Sequence, residues 1–147
     1  MLFAWIDAAL KPGAVIASSA SGLTLSEMQV GWKGPKKFVL GHPFNPPHLI
    51  PLVEVMGNDH ARPGAVTEAE KFYRLVGKVT IRVNREVPGH VANRLLAALW
   101  RETTHPVKTG VASVEDVDTA VRICVGRLWG RRCCSILARV KAGWPIL

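Results

Sequence analysis

The stretch Gly41-His42-Pro43-Phe44-Asn45-Pro46-Pro47-His48-Leu49-Ile50-Pro51-Leu52-Val53-Glu54-Val55 decides how this chain folds. A histidine follows an apolar run, four prolines make the next segment stiff and non-helical, and a single glutamate lies inside the following apolar run. A carboxylate in an apolar strand is costly unless it is paired. We therefore predict that the proline loop folds back and brings Glu54 next to His42.

The predicted pair has two interpretations. Glu54 would accept a hydrogen bond from one ring nitrogen of His42 and fix its tautomer, which leaves the other nitrogen to take a proton from a substrate. That arrangement is a proton-transfer site. The alternative is a buried His–Glu pair that only fastens a loop. The residues alone leave both interpretations open.

Three more segments share their order and spacing with a known family. They are residues 16–23 (IASSASGL), 87–95 (VPGHVANRL) and 110–118 (GVASVEDVD). Together with residues 41–55 they resemble the 3-hydroxyacyl-CoA dehydrogenase family, in the branch that includes carnitine dehydrogenases and lambda-crystallin-like gulonate 3-dehydrogenases. The resemblance covers residues 2–121 and describes a truncated fragment of such a protein.

The resemblance implies an α/β fold made of two parts. Residues 1–87 would form the C-terminal half of a Rossmann-type NAD-binding domain, and residues 88–121 the start of an all-α dimerisation domain. Residues 122–147 would be a divergent basic tail, because no acidic residue follows Asp118. The abrupt change of composition there resembles a reading-frame shift. Alternating helical and strand patterns before Pro88 favour an α/β sheet independently of the resemblance.

The same resemblance implies a reaction, the oxidation of a secondary 3-hydroxyl to a ketone with NAD as hydride acceptor. His42 would be the catalytic base and Glu54 would stabilise its imidazolium. Ser21 and Asn93 would bind the substrate. The substrate would be a 3-hydroxyacyl-CoA or a small 3-hydroxy acid such as carnitine, and the family implies a homodimer.

Ser19 and Asn45 are the candidate cofactor-binding residues under this resemblance. The residues themselves also allow simpler roles, because serines near a glycine are ordinary turn residues and an early helical asparagine satisfies backbone groups. No G-x-G-x-x-G occurs in the chain, so the first half of an NAD site is absent. The alternative to an enzyme is therefore a catalytically inactive fragment or dimerisation remnant.

Composition and charge predict a cytoplasmic protein with neither a specific nucleic-acid partner nor a membrane association. The net charge of +8 comes mostly from the tail, and no aromatic-interleaved basic patch accompanies it. No apolar run approaches the roughly 20 residues that span a bilayer, and the N-terminus lacks a signal-peptide pattern.

No metal site is predicted. Cys124, Cys133 and Cys134 do not have the spacing of zinc ligands and are interpreted as free thiols. A site built from the loop histidines 42, 48 and 60 is the weaker hypothesis, because scattered loop histidines are usually solvated.

The hydrophobic periodicity predicts the elements around the site. We expect a strand ending near Leu40 and another over residues 52–56. Residues 66–76 should form a helix with Phe72 and Val76 on its buried face, and residues 79–83 an edge strand. A helix starting near Val91 should end or kink at Pro106, which lacks an N–H and clashes one turn back. Ser113 should cap a second helix, which has acidic residues in its first turn.

Overall fold

The computed structural model describes residues 2–30, 32 and 34–125. The chain divides into two compact units, Met1–Ala92 and Asn93–Leu147. The predictions made for Cys133, Cys134 and the basic tail beyond Val125 lie outside the described residues.

The first unit is built on a mixed sheet with the strand order β1-β2-β3-β4. The strands are β1 (Ile16–Ser18), β2 (Phe38–Pro43), β3 (Leu52–Met56) and β4 (Val79–Val83). β1 is parallel to β2, β2 is antiparallel to β3, and β3 is parallel to β4. The predicted α/β sheet and the edge position of β4 are confirmed. β2 runs three residues beyond the expected end at Leu40, so His42 lies within the strand.

Three helices and a short 3₁₀ turn accompany this sheet. They are α1 (Leu2–Ala9), α2 (Leu25–Met28), the 3₁₀ turn Pro35–Lys37 and α3 (Ala65–Leu75). Thr24 caps α2 by accepting a hydrogen bond from the Glu27 backbone N–H, and the Glu27 side chain accepts one from the Thr24 backbone N–H in return. α3 is followed by Gly77, whose φ of 78° is the left-handed conformation that ends helices.

The two central strands, β2 and β3, bury both of their faces. One face packs with α2 through a cluster of buried side chains, Leu25, Trp32, Phe38, Leu40, Met56 and Val83. The opposite face packs with α3 through Val39, Val53, Val55, Ala65 and Ala69. Since side chains alternate along a strand, His42 and Glu54 lie on the same face as Leu40 and Met56.

The predicted buried face of α3 is wrong at its C-terminal end. Phe72 is 60% exposed and Val76 is also exposed, although Ala69, one turn earlier, is buried. Phe72 lines an open cavity of about 560 Å³ beside residues 13–17, next to edge strand β1. Phe72 therefore lies beyond the edge of the sheet, where no strand among the described residues covers it.

The second unit contains α4 (Ala92–Lys108) and α5 (Val114–Ala120), followed by the π-helical turn Val121–Val125. α4 does not end at Pro106, because it continues to Lys108; a kink at the proline stays a prediction. The proline removes one N–H from the helix, but its own carbonyl accepts a hydrogen bond from Val111 N at 2.8 Å. The predicted cap of α5 is confirmed, because the Ser113 hydroxyl accepts a hydrogen bond from the backbone of Asp116.

The apolar side chains of α4 are exposed or half-buried. Leu95 is 56% exposed, and no side chain of this helix is buried among the residues that the structure describes. Every helix among the described residues is too short or too polar to cross a bilayer.

An ion pair joins the last strand to α3 and makes stability depend on pH. Arg82 donates to both carboxylate oxygens of Glu70, at 2.9 and 2.7 Å, and these hydrogen bonds lower the pKa of Glu70. A lowered pKa in the folded state means that the pair stabilises the fold above the ordinary glutamate pKa of about 4.3 and loses this contribution as the pH falls.

We predict that Glu70→Gln lowers the free energy of unfolding at pH 7 by about 1 kcal/mol. The difference from the wild-type protein should narrow as the pH falls below about 4.3, because the wild-type carboxylate is then protonated as well. Thermal melts between pH 3 and pH 7 measure this, with Asp59→Asn in an exposed loop as the control. A difference independent of pH would contradict the electrostatic origin.

Candidate active site

The strand register places His42 directly opposite Glu54 in the antiparallel pair of β2 and β3. Nδ1 of His42 lies 3.3 Å from Oε2 of Glu54. His42 is 6% exposed and Glu54 is 0% exposed. The structure thus brings together the two side chains on either side of the proline loop, as the sequence predicted.

The second oxygen of Glu54 contacts the backbone. Oε1 accepts hydrogen bonds from Val91 N at 3.0 Å and from Ala92 N at 2.8 Å. An ionised carboxylate can only accept hydrogen bonds, so beside an ionised Glu54 a neutral His42 ring carries its proton on Nδ1. In that tautomer Nε2 has no proton and can accept one.

A left-handed turn aims these two N–H groups at the carboxylate. Gly89 and His90 have φ angles of 73° and 50°. Histidine is one of the few non-glycine residues that adopt this conformation with some frequency. The two N–H groups belong to the start of α4, where helices leave backbone donors unpaired and favour negative charge.

Sequence reasoning missed this second role of Glu54. The residues before α4 read Pro88-Gly89-His90-Val91 and contain none of the usual capping side chains. A long helix without its own cap needs an acceptor from elsewhere in the chain. The missing capping residue before α4 was the sequence signal for such an acceptor. Glu54, a carboxylate inside an apolar strand, was the candidate.

Two aromatic rings lie against His42. The ring centroid of Phe44 is 4.8 Å from that of His42 in an edge contact, and the ring of His90 is 5.4 Å away at 57°. Neither contact was predicted from the sequence. These two contacts limit movement of the His42 ring in directions in which its hydrogen bond to Glu54 does not hold it.

Gly41 fixes the strand behind His42. A Cβ at Gly41 would lie 2.6 Å from Cε2 of Tyr73, closer than real Cβ contacts. The Tyr73 hydroxyl donates to the Gly41 carbonyl at 3.3 Å, and burial raises the pKa of this tyrosine. The absence of a side chain at Gly41 therefore lets α3 approach the strand that carries the histidine.

The remaining predicted site residues lie in loops or in the second unit. Ser19 and Ser21 follow β1, and Asn45 follows β2; all three are exposed. β1 and β2 are parallel, so these loops leave the same edge of the sheet, where ligands bind in open α/β sheets. Asn93 is the second residue of α4 and is half-buried. The binding roles of these four residues stay predictions.

The loop histidines do not assemble a metal centre. His48 and His60 are exposed. Across the described positions, no group of three or more His, Cys, Asp or Glu side chains is arranged to hold a metal ion.

The residues present fit one end of a nicotinamide cofactor. The hydroxyl and amide groups of Ser19, Ser21 and Asn45 are exposed at the sheet edge that His42 approaches. They could hydrogen-bond the nicotinamide end. The glycine-rich cradle for a pyrophosphate has no counterpart in the 147 residues.

Comparison with family profiles assigns both parts of the chain. Residues 1–87 match the profile of "3-hydroxyacyl-CoA dehydrogenase, NAD binding domain", and residues 89–143 that of the "3-hydroxyacyl-CoA dehydrogenase, C-terminal domain". The second match extends into the segment that we expected to diverge.

Curated relatives include several proteins named L-carnitine dehydrogenase. The protein from Streptomyces coelicolor is 49% identical over 128 residues, which are 87% of this chain and 40% of the relative. The protein from a Pseudomonas species is 48% identical with the same coverage of both chains. The chain therefore spans about 40% of the length of these relatives.

Solved structures show the same fold. A 5-formyl-3-hydroxy-2-methylpyridine 4-carboxylic acid 5-dehydrogenase, described as an NAD⁺-dependent dismutase, has a TM-score of 0.81 and 31% identity, covering 97% of this chain and 46% of its own. The (S)-3-hydroxybutyryl-CoA dehydrogenase of Ralstonia eutropha has a TM-score of 0.74 and 25% identity, covering 85% and 44%.

The mixed sheet and the helices that follow it define a Rossmann-like NAD-binding domain joined to the start of a helical C-terminal domain. This is the architecture of a dehydrogenase class. The chain belongs to the 3-hydroxyacyl-CoA dehydrogenase family.

We predict that Glu54→Ala lowers the free energy of unfolding by about 3 kcal/mol, because it leaves two backbone N–H groups and a buried histidine without their acceptor. Glu54→Gln should cost less, since the amide keeps one accepting oxygen. Urea unfolding measures both. Glu102→Ala, on the exposed side of α4, is the matched control and should change stability by less than about 0.5 kcal/mol. A Glu54→Ala loss as small as that of the control would refute this role of Glu54.

Proposed function

We propose that this chain carries the proton-transfer half of an NAD-dependent dehydrogenase that oxidises a 3-hydroxyl group to a ketone. The observation that supports this most is the buried pair of His42 and Glu54, with Nδ1 of the histidine held by the carboxylate at 3.3 Å. The family membership and the relatives named L-carnitine dehydrogenase support the same reaction.

His42 is the general base in this proposal. Its Nε2 takes the proton of the substrate hydroxyl as the C–H bond is broken, and the resulting imidazolium is stabilised by the buried carboxylate of Glu54. NAD, when bound, supplies the acceptor for the hydride. The two N–H groups of Val91 and Ala92 hold Glu54 in place, so the carboxylate stays oriented while the charge on His42 changes.

Ser21 and Asn93 are the proposed substrate-binding residues, and Ser19 and Asn45 the proposed cofactor-binding residues. The support is positional. Three of them lie in loops at the sheet edge approached by His42, and Asn93 lies in the first turn of α4. Their hydroxyl and amide groups can donate and accept hydrogen bonds.

The substrate in this proposal is a small 3-hydroxy acid such as L-carnitine. The support is the shared name and the identity of 44% to 51% of the curated relatives. A 3-hydroxyacyl-CoA is the alternative substrate, supported by the family and by the structural relative that acts on (S)-3-hydroxybutyryl-CoA according to its name.

A homodimer is part of the same proposal. α4 and the segment after it carry the exposed apolar side chains Leu95, Val111 and Ile123. Such side chains on a helical unit are suited to burial against a second copy.

A second candidate is a fragment that binds no cofactor. The observation that favours it is the lack of a G-x-G-x-x-G sequence in these 147 residues. Titration of the purified chain with NADH, followed by its fluorescence, separates the two candidates when circular dichroism of the same sample shows helix and strand. Saturable binding supports the dehydrogenase, and a folded chain without binding supports the fragment.

We predict that His42→Asn lowers kcat for NAD⁺-dependent oxidation of L-carnitine roughly 10²- to 10⁴-fold, because the general base is lost. KM should change little, since the proton transfer occurs in the transition state. NADH absorbance at a series of substrate concentrations measures both constants. His60→Asn, at an exposed position, is the control. A kcat of His42→Asn equal to that of the wild-type chain would exclude His42 as the base.

A further inference from the structure

His90 is a buried histidine whose polar atoms are unused. It is 2% exposed, and neither of its ring nitrogens has a hydrogen-bond partner within the described part of the chain. Buried polar side chains are nearly always hydrogen-bonded, because an unpaired one loses its contacts with water without replacement. A neutral imidazole offers one donor and one acceptor, so His90 carries both unpaired.

The position of His90 is set by the same carboxylate that orients His42. The two backbone N–H groups that follow His90 donate to Glu54, which accepts the hydrogen bond from His42 on its other oxygen. The two imidazole rings are 5.4 Å apart between centroids. The His90 ring therefore lies beside the ring that takes the proton in the proposed reaction.

We propose that His90 is a substrate-binding residue that donates a hydrogen bond to an oxygen on C1 of a 3-hydroxy acid, while His42 accepts the proton of the 3-hydroxyl. This inference rests on the proposed function of His42. C1 is two carbon–carbon bonds from the carbon that bears the hydroxyl, so both oxygens of one small molecule can reach two adjacent imidazoles. A carboxylate is a strong acceptor for an imidazole N–H.

The arrangement makes His90 a determinant of specificity. A site that offers a buried donor rejects a ligand that lacks the matching acceptor, because the donor then stays unpaired. Secondary alcohols without an oxygen on C1 should therefore bind less well than the corresponding acids. Both rings are almost fully covered, so binding has to move the side chains over them.

If His90 only packs against His42, replacing it with phenylalanine should leave the preference for the carboxylate-bearing ligand unchanged. Phenylalanine has a similar ring and no nitrogen. The left-handed φ of 50° is less favourable for phenylalanine than for asparagine, so His90→Asn is the second variant. A ligand titration of the wild-type chain needs the variants only to assign its signals.

The experiment is a titration of the wild-type chain, labelled with ¹⁵N in its histidine side chains, followed by NMR of the ring nitrogens. Two ligands are compared: L-carnitine, and (2-hydroxypropyl)trimethylammonium, which keeps the cation and the hydroxyl but lacks the carboxylate. Signals of His42 and His90 are assigned from His42→Asn and His90→Asn. We expect L-carnitine to shift the signals of both histidines and the alcohol to shift those of His42 alone.

The possible outcomes separate this inference from the proposed function. If L-carnitine shifts His42 and leaves His90 unchanged, the role of His90 is refuted and the proposed function stands. If neither histidine responds to either ligand, both are refuted. Equal shifts of His90 with both ligands would also refute the recognition of the carboxylate.

The binding affinities of the His90 variants for the two ligands test the same inference. His90→Phe and His90→Asn should weaken binding of L-carnitine roughly 10- to 100-fold, the range expected for a lost hydrogen bond to a charged group, and leave binding of the alcohol unchanged. His60→Phe is the matched control, and circular dichroism checks that each variant is folded. Equal weakening for both ligands would show that His90 acts through shape alone, and would overturn the proposal.

Discussion

The first unit depends on one constraint, the burial of the Glu54 carboxylate. This group is fully shielded from solvent and lies in a strand whose neighbours are apolar. A buried carboxylate has to be surrounded by donors, and here they come from two segments far apart in sequence: the ring of His42 and the backbone before α4. Neither segment can move without leaving one oxygen of the carboxylate without its donor.

The strand arrangement follows from this constraint and from the proline loop. The loop returns the chain antiparallel to β2, and the register puts residues 42 and 54 opposite each other on one face of the sheet. A slip of one residue would turn the carboxylate towards α3 and its apolar cluster. Gly41 adds a second condition, because a side chain there would meet Tyr73. The sheet therefore presents the histidine in one orientation.

Patterns that are local in sequence predicted the fold well. The alternation in residues 79–83, the apolar run of residues 52–56 and the Ser113 cap each depend on a few neighbouring residues, and the structure contains all three elements. The exposure of Phe72 could not be predicted, because it depends on where the sheet ends. The two N–H donors to Glu54 and the His90 ring were missed because they are contacts between segments far apart in sequence. The two donors are 37 and 38 residues away from Glu54 along the chain.

We infer that Glu54 holds His42 with its proton on Nδ1 and leaves Nε2 free to accept one. The ¹⁵N chemical shifts of the His42 ring at neutral pH test this most directly, since they distinguish a protonated from an unprotonated ring nitrogen. We expect a protonated Nδ1 and an unprotonated Nε2 in the wild-type chain, with this preference lost in Glu54→Ala. A proton on Nε2 alone, with Nδ1 bare beside the carboxylate, would contradict this role of Glu54.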